Sequence, residues 1–273
     1  MQQLILELRK QAGRQIGFVP TMGALHQGHL ELVKRAVNEN EVVVCSIFVN
    51  PIQFNNPDDL KKYPRTFESD IEMLESMGCH YVFYPDTQEM YPEPETHTYD
   101  FGQLDKVMEG RYRQGHFNGV AIVVKKLFDI VIPHRAYFGE KDFQQLAIIK
   151  ALVKMEKLDI DIIPCPTVRE HDGLAMSSRN MRLSPEQRAQ APLIYQSLLK
   201  AKQQYRTQPA EVVKAALEKT INQHPLMKLE YFEIADTDTL EPVTGEKPKK
   251  PVVACIAVHM GEIRLIDNML FNL

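Results

Sequence analysis

The sequence predicts an α/β fold, a doubly wound parallel sheet over residues 1–167 followed by a smaller α+β unit over residues 168–273. Short apolar runs alternate with helix-period segments through the first two-thirds of the chain. After about residue 167 the order changes to two helices followed by three strand-like stretches. The 273 residues are 44% apolar and 25% charged, the balance of an ordinary globular chain, which excludes bulk disorder.

The elements follow in order. Ile16 to Val19 is a strand-like run stopped by Pro20. Leu30, Val33, Ala36 and Val37 recur at helical spacing, and Val42 to Val49 forms the next strand. Thr66 is placed to cap a helix whose Ile71, Leu74 and Met77 share a face and whose end is Gly78. Tyr81 to Tyr84 gives another strand. Val120, Val124, Leu127, Phe128 and Val131 fit a helix ended by Pro133. Ala136 to Phe138 reads as a strand, Leu146, Ile149, Leu152 and Val153 as a helix, and Asp159 to Ile163 as the last strand of the series. This alternation predicts a Rossmann-like sheet with helices on both faces. In the second unit Ser184-Pro185-Glu186-Gln187 carries a capping box and opens a helix to about Tyr205. A further helix runs from Pro209 to before Pro225. Strands are expected at Leu229 to Ile234, Val252 to Val258 and Glu262 to Ile266, with a Pro/Lys-rich loop from Thr244 to Pro251.

Charge and cysteine content narrow the function classes. With 32 Lys and Arg against 36 Asp and Glu, the net charge of −4 argues against a nucleic-acid partner. Lys247, Lys249 and Lys250 read as a solvated loop. Cys45, Cys79, Cys165 and Cys255 are widely spaced with no C-x-x-C pair, the usage of reduced thiols in a cytoplasmic protein. No stretch approaches the ~20 apolar residues of a membrane span, so no membrane association is expected.

The most informative stretch is Pro20-Thr21-Met22-Gly23-Ala24-Leu25-His26-Gln27-Gly28-His29, between the first strand and the first helix, where a doubly wound sheet places its ligand. Glycines permit close backbone approach, a helix N-terminus attracts phosphate, and His26 and His29 can donate to it from one side. The same residues also fit a plain turn with two surface histidines. A second constellation is Met176-Ser177-Ser178-Arg179-Asn180, preceded by Arg169-Glu170-His171-Asp172-Gly173. Hydroxyls followed by a guanidinium suit a polyphosphate, and equally a polar loop between domains. No histidine and carboxylate group has metal-ligand spacing.

An early H-x-G-H with a late hydroxyl and basic loop resembles the nucleotidyltransferase superfamily that includes class I aminoacyl-tRNA synthetases. Six segments narrow the resemblance. They are Pro20 to His29, Ser46-Ile47-Phe48-Val49-Asn50-Pro51-x-Gln53-Phe54, Tyr63-Pro64-Arg65, Gly115-His116-Phe117-x-Gly119-Val120, Tyr137-Phe138-Gly139-Glu140-Lys141-Asp142-x-Gln144-Gln145, and Met176 to Asn180. In order and interval they are similar to the pantothenate synthetase (pantoate–β-alanine ligase) family, as is Arg264-Leu265-Ile266-Asp267-Asn268 near the end. Two departures stand out. The family usually has more chain before the first strand, and Ile122 stands where threonine is commoner, for which only a packing change is expected.

The resemblance implies that pantoate and ATP form pantoyl adenylate and pyrophosphate, and that β-alanine then displaces AMP to give pantothenate. By motif position it implies an ATP site of Met22, Gly23, Ala24, Leu25, His26, Gln27, Gly28, His29, Gly139, Glu140, Lys141, Asp142, Val168, Met176, Ser177, Ser178 and Arg179. His29, His26 and Lys141 are its expected catalytic groups. Gln53 and Gln145 would hold pantoate, with Gln53 also bordering β-alanine. Mg²⁺ would come with ATP, the protein adding few ligands, and the assembly would be a cytoplasmic homodimer whose smaller domain lids the site.

The chemistry asks for such residues. A carboxylate nucleophile is already ionised at pH 7, so the first step needs no base. It needs donors and positive charge against a polyphosphate, which His26, His29, Lys141, Ser177, Ser178 and Arg179 supply. Neutral amides suit pantoate's carboxylate and hydroxyls, and Pro20, Met22 and Phe48 suit its methyls. Tyr63-Pro64-Arg65 could cover the site and exclude water. Arg111, Arg113 and His116 offer one phosphate contact, while Asp58-Asp59 and Lys61-Lys62 read as a solvated turn. Two other readings stay open: an adenylyltransferase that releases no AMP, and a tRNA-binding synthetase relative, which would need a basic surface.

Overall fold

The first apolar run is the middle of a parallel sheet. In the computed structural model, which describes residues 1–10, 14–244 and 250–271, the first part runs α1 (Gln2–Lys10), β1 (Ile16–Thr21), α2 (Gln27–Glu39), β2 (Val42–Ile47), α3 (Pro57–Lys61), α4 (Phe67–Ser76), β3 (Tyr81–Phe83), α5 (Thr87–Met90), α6 (Met108–Tyr112), α7 (His116–Val131), β4 (Arg135–Gly139), α8 (Phe143–Met155) and β5 (Asp161–Cys165). The second part runs α9 (Pro185–Gln190), α10 (Leu193–Tyr205), α11 (Ala210–Asn222), β6 (Met227–Asp236), β7 (Val252–Met260) and β8 (Ile263–Phe271). The five-stranded sheet has the order β3-β2-β1-β4-β5 with every pairing parallel. The strand order reverses between β1 and β4, the position where such sheets open a crevice at their carboxyl ends. A separate antiparallel sheet has the order β6-β7-β8.

Burial explains the strand composition. Every residue of β2 is buried, as a central parallel strand covered on both faces requires. One face packs Phe18, Val42, Val44 and Ala136 against α7 and α8; the other packs Val19, Val43, Cys45 and Tyr137 against α2 and α4. A distinct core drawn from residues 174–271 fills the space between α10, α11 and the second sheet. Cys45, Cys165 and Cys255 are buried free thiols, and Cys79 is half-buried. Among the described residues no helix is long and apolar enough to cross a membrane.

Several expectations change. β1 continues through Pro20, which pairs with Ser46. The missing N–H interrupts no bond to β4, because that pairing uses only Gly17 and Phe18. The helix expected from Ser184 to Tyr205 is two helices, because Pro192 has no N–H to give the carbonyl four residues back. The capping box at Ser184 and Gln187 is present. Thr66 occupies the N-cap of α4 but its hydroxyl caps nothing and binds Asp70 instead. β5 begins at Asp161, and β6, β7 and β8 run longer than expected. Helix α1 has no clear apolar signature: among the described residues 2–9 only Ile5 and Leu8 are buried. Ile122 is buried on α7, in keeping with a packing role. Lys247 and Lys249 lie outside the described residues, whereas Lys250 pairs with Asp236 and Asp238.

One contact ties the fold to the crevice. α7 lies against the 3-10 turn Pro51–Gln53 at Gly119, where a Cβ would sit 2.5 Å from the Ile52 carbonyl and 2.7 Å from the Gln53 Cα. Only hydrogen fits there. Gly119→Ala should therefore cost about 1–3 kcal/mol in urea unfolding; unchanged stability would show that the turn yields freely.

Candidate active site

The crevice at the strand-order reversal is walled by residues from three separate parts of the chain. They include Met22, His26, Gly28 and His29 after β1, Gly139 at the end of β4 with Lys141 and Asp142 after it, and Val168 with Met176 to Arg179 after β5. The cavity encloses about 1400 Å³ with its open mouth included. Gln53, Tyr63, Arg113, His116 and Gln145 line the same cavity.

The turn after β1 has a defined internal architecture. Gly23 and Ala24 both take left-handed conformations, with φ of 77° and 49°. Their geometry turns successive amides to one side, and the Asp70 carboxylate accepts from Ala24 N at 3.0 Å and Leu25 N at 2.8 Å. Thr66 donates to the same carboxylate at 3.1 Å, and Asp70 is almost fully buried. The turn is thus anchored from α4 before α2 begins.

At the start of α2 the two imidazoles are oriented by backbone donors. Gly28 N donates to His26 Nδ1 at 3.1 Å, and His26 N donates to His29 Nδ1 at 3.3 Å. A backbone N–H can only donate, so both Nδ1 atoms carry lone pairs and both protons sit on Nε2. Burial, with Lys141 nearby, lowers His26 to about 4; burial, with His26 and Lys141, lowers His29 to about 3. Both rings are neutral at pH 7. They can supply donated hydrogen bonds to this site, as expected of them, and no positive charge.

The cations come from elsewhere. Lys141 projects from the 3-10 turn Glu140–Asp142, its ammonium 3.8 Å from the Asp142 carboxylate. Arg179 follows Ser177 and Ser178 and binds Asp59 of α3 at 2.8 Å, with Arg182 also on Asp59 at 3.2 Å. Asp59 is therefore a partner of the site loop and not part of a solvated turn. Arg113 and His116 also line the cleft, whereas Arg111 is exposed. Burial, with Arg113 close by, lowers His116 to about 4, and its Nδ1 lies 2.8 Å from the Gln53 carbonyl.

The surroundings of Gln53 are equally built. Gln53 is buried, its Nε2 3.1 Å from the Met22 sulfur and its Oε1 accepting from Asn50 at 3.0 Å. Asn50 also donates to the Gly119 carbonyl and accepts from the Tyr91 hydroxyl at 2.7 Å. Pro20, Met22, Phe48, Val120 and Leu127 make the apolar wall beside it. Tyr63 is buried against Phe54 and reaches the cleft, whereas Arg65 is exposed.

Five residues expected at the nucleotide do not line this cavity. Gly23 packs on Asp70 and Ile47. Ala24 and Leu25 are buried with their amides committed to Asp70. Gln27 is exposed and binds Glu31 at 2.8 Å, and the Glu140 carbonyl is taken by Asn268. Asn50, Asp59 and Asp70 were not assigned a role from the sequence. Asn50 lay inside a quoted segment; the two aspartates look like surface acids until their partners are seen. Among the described residues no group of three or more His, Cys, Asp or Glu side chains is arranged to hold a metal.

A doubly wound sheet whose reversal point presents neutral imidazoles, an ammonium, hydroxyls and a guanidinium to one cleft defines an α/β enzyme suited to a polyanionic substrate. The pantoate–β-alanine ligase family model matches residues 1–270. Pantothenate synthetase of Bacteroides fragilis (strain YCH46) is 52% identical over 99% of this chain and 96% of its own, and that of Bacteroides thetaiotaomicron is 50% identical over 100% and 96%. The crystal structure of the Thermus thermophilus pantothenate synthetase superposes with a TM-score of 0.89 at 42% identity, covering 97% of this chain and 96% of that one. The Francisella tularensis pantoate–β-alanine ligase, solved with a β-γ ATP ligand and β-alanine, gives 0.78 at 36% identity over 98% and 95%. The chain belongs to the pantoate–β-alanine ligase family.

The neutral histidines carry a stability signature. Unfolded imidazoles take up protons below about pH 6.5, while His26, His29 and His116 resist until about 4, 3 and 4. The unfolded state then binds more protons, so their contribution is complete above about pH 6.5 and is lost as pH falls toward those values. Urea unfolding should show lower stability at pH 5 than at pH 7.5, with a smaller drop in His29→Asn. An equal drop in that variant would contradict the assignment.

Proposed function

We propose that the protein is an ATP-dependent ligase joining pantoate to β-alanine through a pantoyl adenylate. The observation that carries this reading is the convergence of His26, His29, Lys141, Ser177, Ser178 and Arg179 on one cleft that Gln53 and Gln145 also line. The triphosphate lies between the imidazole pair and the Ser177–Arg179 loop, and pantoate lies at the two amides with its methyls on Pro20, Met22 and Phe48. A pantoate carboxylate oxygen attacks the α-phosphorus as the bond to pyrophosphate breaks. Nε2–H donors and the Lys141 ammonium meet the charge that builds on the leaving oxygens, which is where fixed donors lower a barrier most. His29 acts by donating a hydrogen bond. The amine of β-alanine then attacks the acyl carbon, the bond to AMP breaks, and the ammonium proton is lost to give the amide.

Mg²⁺ would travel on the phosphates. Among the described residues Asp142 is the one carboxylate lining the cleft, and a metal that takes one or two protein carboxylates with substrate oxygens fits that wall. The same reading divides the chain into a nucleotide- and pantoate-binding domain (residues 1–167) and a lid domain (residues 168–273); each has a core of its own, and a smaller cluster of Met108, Ala235, Leu240, Val253 and Cys255 joins them. It also makes the protein a cytoplasmic homodimer, which sedimentation would report as about twice the 31.4 kDa chain mass.

Labelled pyrophosphate should exchange into ATP only when pantoate is present, and AMP should appear only when β-alanine is added. A folded protein that gives no pantoate-dependent exchange rejects the proposal. Lys141→Ala should slow exchange at least ~100-fold. Gln53→Ala should raise the pantoate KM more than the ATP KM, and the reverse pattern would move Gln53 to the nucleotide.

A further inference from the structure

The Arg264 to Asn268 segment of β8 is far from the cleft in sequence and has no part in the chemistry above. Its last two residues nonetheless reach both loops that carry the phosphate ligands. Asn268 is buried, and its carboxamide nitrogen donates both of its protons, one to the Glu140 carbonyl and one to the Lys141 carbonyl, each at 2.8 Å. Two carbonyls facing one side-chain group fix that group as the NH₂. Asp267, buried beside it, takes Arg169 in a two-pronged pair at 2.7 and 3.0 Å. Arg169 stacks on the Tyr195 ring at 4.2 Å and adjoins Val168, whose carbonyl accepts from Met176 N at 3.0 Å.

We propose that Asn268 and Asp267 are positioning residues for adenylation. Asn268 fixes the backbone from which Lys141 projects, and Asp267, through Arg169, fixes the backbone that leads into the Met176–Arg179 loop. One dipeptide of the second sheet thus sets the spacing between the ammonium and the hydroxyl–guanidinium loop across the cleft. Neither side chain needs to touch substrate. The geometry suits such a role, since a carboxamide held between two carbonyls allows little slide along the turn, and a bidentate guanidinium pair fixes orientation as well as distance. Displacing a phosphate ligand by about 1 Å can cost ~100-fold in rate.

The kinetic test rests on the ligase reading. Pantoate-dependent pyrophosphate exchange is compared in wild type, Asn268→Ala, Lys141→Ala and the double variant, with ATP affinity measured alongside by calorimetry. Asn268→Ala should lower the exchange rate roughly 10–100-fold and leave the pantoate KM within about threefold, because the amides that hold pantoate stand on other elements. In the Lys141→Ala background the same change should cost no more than about twofold, the signature of a residue that acts through Lys141. Asn268→Asp keeps the shape but turns oxygens toward the two carbonyls, and should lose at least as much. Wild-type exchange in either folded variant, losses that multiply with those of Lys141→Ala, or failure of both variants to fold where Lys141→Ala is folded each overturns the proposal. Absence of exchange in wild type itself rejects the ligase reading instead. The ATP affinities then decide whether Asn268 positions Lys141, with a loss of about tenfold or more expected in Asn268→Ala and none further in the double variant.

Discussion

The Asp70 carboxylate holds the turn after β1 in a shape that the backbone would not keep unaided. Two successive left-handed residues, Gly23 and Ala24, direct their amides to one side, and a buried acid on α4 accepts from Ala24 and Leu25. Because the turn is fixed there, α2 starts where His26 and His29 stand side by side, ring centroids 4.1 Å apart. The backbone donors at their Nδ1 atoms leave both Nε2–H groups for a ligand. Burial keeps the rings neutral, so they do not repel Lys141. A strained turn is stabilised by a buried acid, and the result is a pair of oriented donors.

The second constraint is the junction between the two sheets. Glu109 of α6 accepts from Arg264 of β8 at 2.8 Å and from the Tyr231 hydroxyl of β6 at 2.8 Å, with Arg113 at 3.5 Å. Burial alone would push the Glu109 carboxyl up, but Arg264 and Arg113 outweigh it and hold it near 2. Removing one partner of such a group leaves an uncompensated buried charge, so the junction is costly to break. Arg113 lines the cleft, so this junction links the C-terminal sheet to it through Arg113, while Asn268 links the sheet to the Lys141 backbone.

Much of this was legible in the sequence. Periodicity located the strands and helices of the parallel sheet because its inner strands β1, β2 and β4 are largely buried and read as apolar runs. His26 and His29 stood out by their place between the first strand and the first helix, whereas Gln53, Lys141 and Ser177 stood out through the resemblance to the ligase family, since each alone reads as a surface polar group. What was hidden depends on partners distant in the chain. Asp59 and Asp70 look like ordinary helix acids, and only the folded chain shows Arg179 and the Ala24 and Leu25 amides against them. Residue type also could not separate Gln144 from Gln145. The first is buried and binds the Leu104 and Val107 carbonyls, while the second lines the cleft. Protonation was equally out of reach, since burial and the backbone bonds to Nδ1 decide it.

A crystal structure of the protein with a non-hydrolysable ATP analogue tests the central claim most directly. The triphosphate should lie within hydrogen-bond reach of His26 Nε2, His29 Nε2, the Lys141 ammonium and the Ser177–Arg179 loop at once. A nucleotide bound with its phosphates directed away from these groups, or seated in another cavity, would contradict the account.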